Sequence, residues 1–284
     1  MRKILLAVFC CILFVVLSAC GSKTDDPLIS YSYQKHPISI KDYSNGDELI
    51  TGNYFSVTLD EESAKSYPKL QSVIDGFNSG EESRLKEEIR THLNDIIDIR
   101  EQGFDGEGEV YMDYYPKRAD GAAFSSAIVE YSFYGGAHGI TQYYSYNYDP
   151  KTGDNIALSD VVKDTDSLPD IIVDELEKQN NDLLEFFKES PSDRDNLLKD
   201  IPGRIMNKSL VWALDYEGIW VYFEDYAMGV YAAGSQEVKI RFTDYPDLFT
   251  ETYNNYTDKE IPKADEQAKQ IEDAGITEIS SDAM

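Results

Sequence analysis

The sequence predicts an α+β fold in which an antiparallel sheet packs against helices, arranged as two successive blocks. Three observations predict it. Ala127, Val129, Tyr131 and Phe133 alternate with Ile128, Glu130, Ser132 and Tyr134, a period of two that reads as a strand with one buried face. Leu85, Ile89, Leu93, Ile96 and Ile97 recur at helical spacing and form one apolar stripe. Between such segments stand turn signals built on glycine, proline and asparagine, among them Ser44-Asn45-Gly46-Asp47 and Asp149-Pro150-Lys151-Thr152-Gly153.

The chain opens with Arg2 and Lys3, an unbroken apolar run from Ile4 to Leu17, and then Leu17-Ser18-Ala19-Cys20. The run is short for a membrane span and fits the apolar region of a secretory signal. Small residues directly before a cysteine resemble the lipobox of bacterial lipoproteins, whose cysteine sulfur takes a diacylglyceryl group before the chain is cut in front of it. Residues 1–19 are therefore expected to be a signal peptide, Cys20 the lipidated mature N-terminus, and residues 20–27 a flexible spacer. The expected location is the outer face of a bacterial cytoplasmic membrane, or the outer membrane in a host that has one. Cys10 and Cys11 leave with the signal, so the exported part has no free thiol for a disulfide, a nucleophile or a metal site.

Residues 28–158 form the expected first block. Leu28 to Tyr43 and Glu48 to Leu59 read as a hairpin, Tyr67-Pro68 opens a helix through Leu70, Val73, Ile74 and Phe77, and a second helix carries the Leu85 to Ile97 stripe. A loop from Gly103 to Gly108 leads to a strand over Val110 to Tyr115 and a turn at Lys117 to Gly121. The chain is organised around Ala127 to Asp160. There a strand enters the turn Gly135-Gly136-Ala137-His138-Gly139, whose three glycines are expected to supply positive φ. A return strand then places Tyr144, Tyr146 and Tyr148 on one face. Gly153 suits the left-handed position of the next turn, and Ser159 is placed to cap a short helix.

The second block is expected over residues 159–249. Ser167 and Pro169 open a helix with Leu168, Ile171, Ile172, Leu176, Leu183, Phe186 and Phe187 in one stripe, and Pro202-Gly203 should break or kink the next. A hairpin turning at Glu217-Gly218 and a last strand with Val238, Ile240 and Phe242 inward complete it. Residues 250–284 are acidic and polar, and read as a disordered tail or a loosely docked helix.

Two stretches of this chain, taken together, are similar to a known family. Tyr131-Ser132-Phe133-Tyr134-Gly135-Gly136-Ala137-His138-Gly139 with Tyr146-Asn147-Tyr148-Asp149, and Gly218-Ile219-Trp220-Val221-Tyr222-Phe223 with Tyr226 and Tyr231-Ala232-Ala233-Gly234, resemble the exported domain of the RsiV anti-sigma factors and the N-terminal domain of the deacetylase PdaC. The resemblance spans roughly Tyr31 to Phe249 and implies the α+β architecture. RsiV-like domains bind lysozyme, a basic protein. The cytoplasmic segment of the anti-sigma members and the catalytic domain of the deacetylase have no counterpart in this sequence, so neither activity carries over.

The chain has 53 acidic and 26 basic residues, a formal charge of −27. Loss of Arg2 and Lys3 moves this to about −29, a surface that repels nucleic acid and attracts cationic partners. His36, His92 and His138 form no metal-ligand spacing, and no serine stands in a nucleophile motif. No cofactor, metal or catalytic residue is expected, and the chain is read as a non-enzyme. The 21 tyrosines supply stacking surface for sugars or protein partners. The expected function is a lipid-anchored envelope module that captures lysozyme or another cationic protein, with Tyr134, His138, Tyr144, Trp220 and Tyr231 as contact residues. The alternatives are binding or processing of envelope glycan such as peptidoglycan, and a structural lipoprotein without a ligand.

Overall fold

A computed structural model describes residues 28–42, 44–103, 106–254, 256, 261–271 and 277–280. The expected signal peptide, Cys20 and the expected spacer lie outside the described residues. Strands β1 (Tyr31–Lys41) and β2 (Glu48–Leu59) form the expected hairpin, turning through Gly46 at φ 79°. A short helix α1 (Glu61–Ser66) follows, with the Asp60 carboxylate accepting from Ser63 N at its start.

The two helices expected next are one, α2 (Pro68–Glu101), of 34 residues. Gly76 and Gly80 each weaken a helix by roughly 1 kcal/mol, which is why the sequence reads as broken there. Burial outweighs them: Leu70, Ile74, Leu85, Ile89, Leu93 and Ile96 form one continuous stripe seated on the sheet. Asn78, in the apparent gap, pairs its side-chain amide with both the N–H and the carbonyl of Val57 at 2.8 Å.

Because α2 carries the chain back along its own length, β3 (Gly108–Ala119) joins β2 in parallel, with Gly52 opposite Val110. From β3 the sheet continues antiparallel through β4 (Phe124–Phe133) and β5 (Ile140–Tyr148), so that these five strands run in the order β1-β2-β3-β4-β5. Of the turn expected over Lys117 to Gly121, the second half lies in the reversal from Asp120 to Ala123, while Lys117 is instead at an irregularity inside β3, where the pairing steps from Pro116 opposite Ser126 to Arg118 opposite Ser125.

The second block begins with α3 (Leu158–Val161), whose N-cap is Ala157 rather than Ser159; the Asp160 carboxylate accepts from Ala157 N at 2.9 Å. The single stripe expected from Leu168 to Phe187 divides into α4 (Leu168–Gln179) and α5 (Asn181–Glu189), because the Asn180 side chain accepts from the N–H groups of Asp182 and Leu183. Helix α6 (Pro191–Met206) continues past Pro202, held by buried Leu197 and Ile201. Strands β6 (Val211–Leu214), β7 (Gly218–Phe223) and β8 (Gln236–Arg241) make a separate antiparallel sheet.

Four layers result. Helix α2 covers one face of the large sheet, the small sheet packs on its other face through Ala127, Ala213 and Tyr222, and α4 to α6 close the far side around Ile172, Leu176, Val221 and Val238. Asn147 joins the two sheets: its amide donates to Trp212 O at 2.8 Å and its oxygen accepts from Leu214 N at 2.9 Å.

The tail departs from expectation. Helix α7 (Ala264–Gln267) leads into β9 (Ala268–Ile271), and β9 and β10 (Thr277–Ser280) both pair in parallel with β1. A bare β1 edge would offer unpaired backbone groups, and these strands cover it. Among the described residues no helix is long and apolar enough to cross a membrane.

Candidate functional site

The glycine turn between β4 and β5 meets the loop that leaves β7. Gly135 and Gly136 have φ of 100° and 108°, as their place in a sharp reversal requires, and Gly153 has 78° in its own turn. Gly139 does not have positive φ; there a Cβ would meet the end of the Tyr131 ring, which would have to shift to admit it. The loop from β7 is pinned to β5 by Asp225, whose carboxylate accepts from Thr141 N at 2.7 Å.

These two loops assemble an aromatic cluster around His138. Its Nδ1 lies 3.0 Å from Gly139 O, an acceptor only, so Nδ1 carries the proton and in the neutral ring Nε2 accepts from the Tyr226 hydroxyl at 2.9 Å. The Tyr231 ring stacks on the imidazole at 3.6 Å and 18°, and its hydroxyl donates to Gly139 O at 3.3 Å. Tyr226 and Tyr231 nonetheless remain 48% and 37% exposed, with Val230 exposed beside them in sequence. Tyr226 sits at φ 69°, a left-handed conformation that costs a residue with a side chain on the order of 1–2 kcal/mol. Tyr226 is thus a strained, solvent-facing aromatic ring on an anchored loop. The imidazole is oriented by a phenol and a carbonyl.

Of the residues expected to form the contact surface, the structure brings together His138 and Tyr231. Tyr134 and Tyr144 lie on the opposite face of the large sheet, beneath α2. There the Arg84 guanidinium pairs with Glu81, Glu88 and Glu130, Tyr134 donates to Glu88 at 3.1 Å, and Tyr144 donates to Gln142 at 3.1 Å. Burial raises the Glu130 carboxyl above its ordinary value even though Arg84 opposes this, and burial pushes the Tyr144 phenol up to about 12. This network fastens helix to sheet. His92 belongs to it, stacked on Tyr134 at 4.2 Å, and His36 stacks on Tyr54 at 4.7 Å.

Trp220 belongs to a neighbouring surface. Its indole N–H donates to Asp215 at 2.9 Å and its ring lies under the Lys117 ammonium, while Tyr143, stacked on Tyr222, donates to Ser235 at the end of the loop that carries Tyr231. The residue the candidate set omits is Tyr226. It follows no periodic pattern, and the signal for it was its place in the irregular run Asp225-Tyr226-Ala227-Met228-Gly229. Among the described residues, no group of three or more His, Cys, Asp or Glu side chains could hold a metal ion.

Residues 159–243 match a family described as protein of unknown function (DUF3298). The fold is similar to that of a DUF3298 family member from Bacteroides fragilis NCTC 9343, at 14% identity over 78% of this chain and 94% of that chain, with a TM-score of 0.53. A DUF3298 family protein from Pseudomonas aeruginosa PAO1 is 18% identical over 81% of this chain and 97% of that chain, with a TM-score of 0.49. No curated protein matches the chain. At 14% identity the first likeness shows the architecture alone, and what the sequence of the second block shares is a domain of unknown function.

Proposed function

We propose that this chain is a binding module of the bacterial cell envelope, tethered through lipid on Cys20, that captures a cationic protein such as lysozyme on the surface formed by His138, Tyr226 and Tyr231. The observation that carries the reading is the exposed pair Tyr226 and Tyr231, held on His138 by stacking and hydrogen bonds. Pre-ordered aromatic rings lose little entropy on binding and dominate protein interfaces. The formal charge of −27 supplies the long-range attraction that steers a basic partner to the surface. The resemblance of the Tyr131 to Gly139 and Gly218 to Gly234 stretches to RsiV-like domains supports lysozyme as the first partner to try.

The test is calorimetric titration of the lipid-free protein from Gly21 onward with lysozyme at low and physiological salt. Steering predicts an association rate that falls as salt rises. The aromatic surface predicts a residual affinity that Tyr226→Ala and Tyr231→Ala each weaken about tenfold or more. Absence of heat and of co-elution at low salt refutes the reading. Binding that vanishes at physiological salt and ignores both substitutions reduces it to charge alone.

A further inference from the structure

The surface around Trp220 holds an ammonium met only by aromatic rings and a buried hydroxyl without a hydrogen-bond partner. At Lys117 the pairing of β3 with β4 steps irregularly, and such bulges re-aim the extra residue's side chain. The Lys117 ammonium lies 4.4 Å from the Trp220 ring centroid, 5.8 Å from that of Tyr222 and 5.9 Å from that of Tyr115. Among the described residues it makes no hydrogen bond or ion pair, in a chain that carries 53 carboxylates. Beside it, the Tyr222 hydroxyl is the only buried side-chain nitrogen or oxygen among the described residues that lacks a hydrogen-bond partner, and Tyr222 is 1% exposed.

The charged groups facing Lys117 do not resolve this. Asp215 is committed to the Trp220 indole at 2.9 Å and to Lys239 at 2.7 Å, Lys239 adds repulsion, and Glu237 and Asp265 act on the ammonium only at a distance. Burial accordingly lowers the Lys117 amine below its ordinary value. A buried phenol without an acceptor is unfavourable, an ammonium held only by aromatic rings keeps its N–H groups free to donate, and a carboxylate can accept from both. The rest of the site is aromatic: the Tyr115 ring is 45% exposed and Trp220 is half-buried next to it.

We infer that Lys117 and Tyr222 form the polar end of a binding site for an acidic saccharide, whose carboxylate accepts from both side chains while its ring lies against Tyr115 and Trp220. The Lys117 side chain, flexible and only partly buried, swings aside from the Trp220 face to admit the carboxylate to the Tyr222 hydroxyl. This site is separate from the His138 surface and does not depend on protein capture there.

The full-length protein in detergent is titrated with N-acetylmuramic acid, following the Trp220 indole N–H resonance, one of two such signals in the chain. A saturable shift is expected, with N-acetylglucosamine, the sugar lacking the carboxylate, at least tenfold weaker, and acetate, the carboxylate lacking the ring, weaker again. Lys117→Met should abolish the shift and Lys117→Arg should retain it. Tyr222→Phe gives the sharpest test, because it deletes a hydroxyl that makes no internal hydrogen bond: it should melt no lower than the parent yet bind at least fivefold more weakly. The inference is overturned if N-acetylmuramic acid leaves the resonance unmoved, if the neutral sugar or acetate binds equally well, or if Tyr222→Phe and Lys117→Met bind like the parent.

Discussion

Replacing Arg118 by methionine tests the reading of how the tail is held. Arg118 is fully buried, its guanidinium pairs with the buried Asp120 at 3.0 Å, and it donates to Tyr253 O at 2.7 Å. Asp120 keeps other partners: Ala122 N and Ala123 N at 2.9 Å and the Tyr256 hydroxyl at 2.8 Å. Methionine fills much of the volume but leaves the carboxylate without a counter-charge, so the loss should be about 3–5 kcal/mol. Asp120→Asn in the same chain removes the charge while retaining an oxygen for the two amide bonds, and should recover all but roughly 1–2 kcal/mol of that loss. Urea unfolding of the two single variants and the double variant measures the coupling. A second readout follows from geometry. Arg118 lies over the rings of Tyr216 and Tyr256 as well as binding Tyr253, so its loss should open the chain beyond Tyr253 to protease before global unfolding. A cost under about 1 kcal/mol for Arg118→Met, with the tail still protected, would falsify the buried-charge argument.

Gly136→Val should cost on the order of 1–3 kcal/mol through backbone strain alone, since φ is 108° and nothing lies within 4 Å of a new Cβ; an unchanged melting temperature counts against it. Glu224 gives a pH signature. Burial favours its neutral form, but the bidentate hydrogen bonds from Arg204 at 2.7 and 2.9 Å outweigh this and hold the carboxyl below its ordinary value of 4.5. Its contribution to stability is therefore complete above the ordinary value and lost as pH falls through the lower folded one, so Glu224→Gln should flatten the acid limb of a stability profile; an unaltered limb refutes the assignment. Cys20→Ala should leave the precursor uncleaved and unlipidated, seen as a larger species that takes up no labelled fatty acid, whereas normal maturation would remove the lipid anchor from the proposal.

What was legible in the sequence was local. The β1–β2 hairpin, the turn at Gly135-Gly136 and the turn closing at Gly153 each follow from residues within a few positions of one another, and all three stand where the alternation and the glycines put them. What was not legible depended on distant partners. Asn78 and Gly80 look like a helix boundary until Val57 supplies hydrogen bonds and the sheet supplies a surface for one continuous stripe. The parallel pairing of β2 with β3 is likewise a consequence of α2 being one helix. The acidic tail carries too few apolar residues to predict order, and its strands form because β1 offers an edge.

The candidate site divides along the same line, and strand parity explains how. Tyr134 shares its parity with Ile128 and Glu130, so it is fixed to the α2 side once Ile128 enters that core, and Tyr144 pairs directly opposite Ile128. No such rule reaches His138, Tyr226 and Tyr231, which lie beyond strand ends. Their positions come from tertiary anchors: Asp225 on Thr141, Gly139 O receiving Tyr231, and His138 receiving Tyr226. Those bonds hold Tyr226 at a positive φ that its own sequence disfavours, so the loop is ordered by contacts between the two blocks. A ring that packing would bury needs no such support. Tyr226 is instead nearly half exposed and held there at a strained φ, which is the physical reason the proposed contact surface is assigned to this loop and not to the tyrosine-rich strands beneath α2.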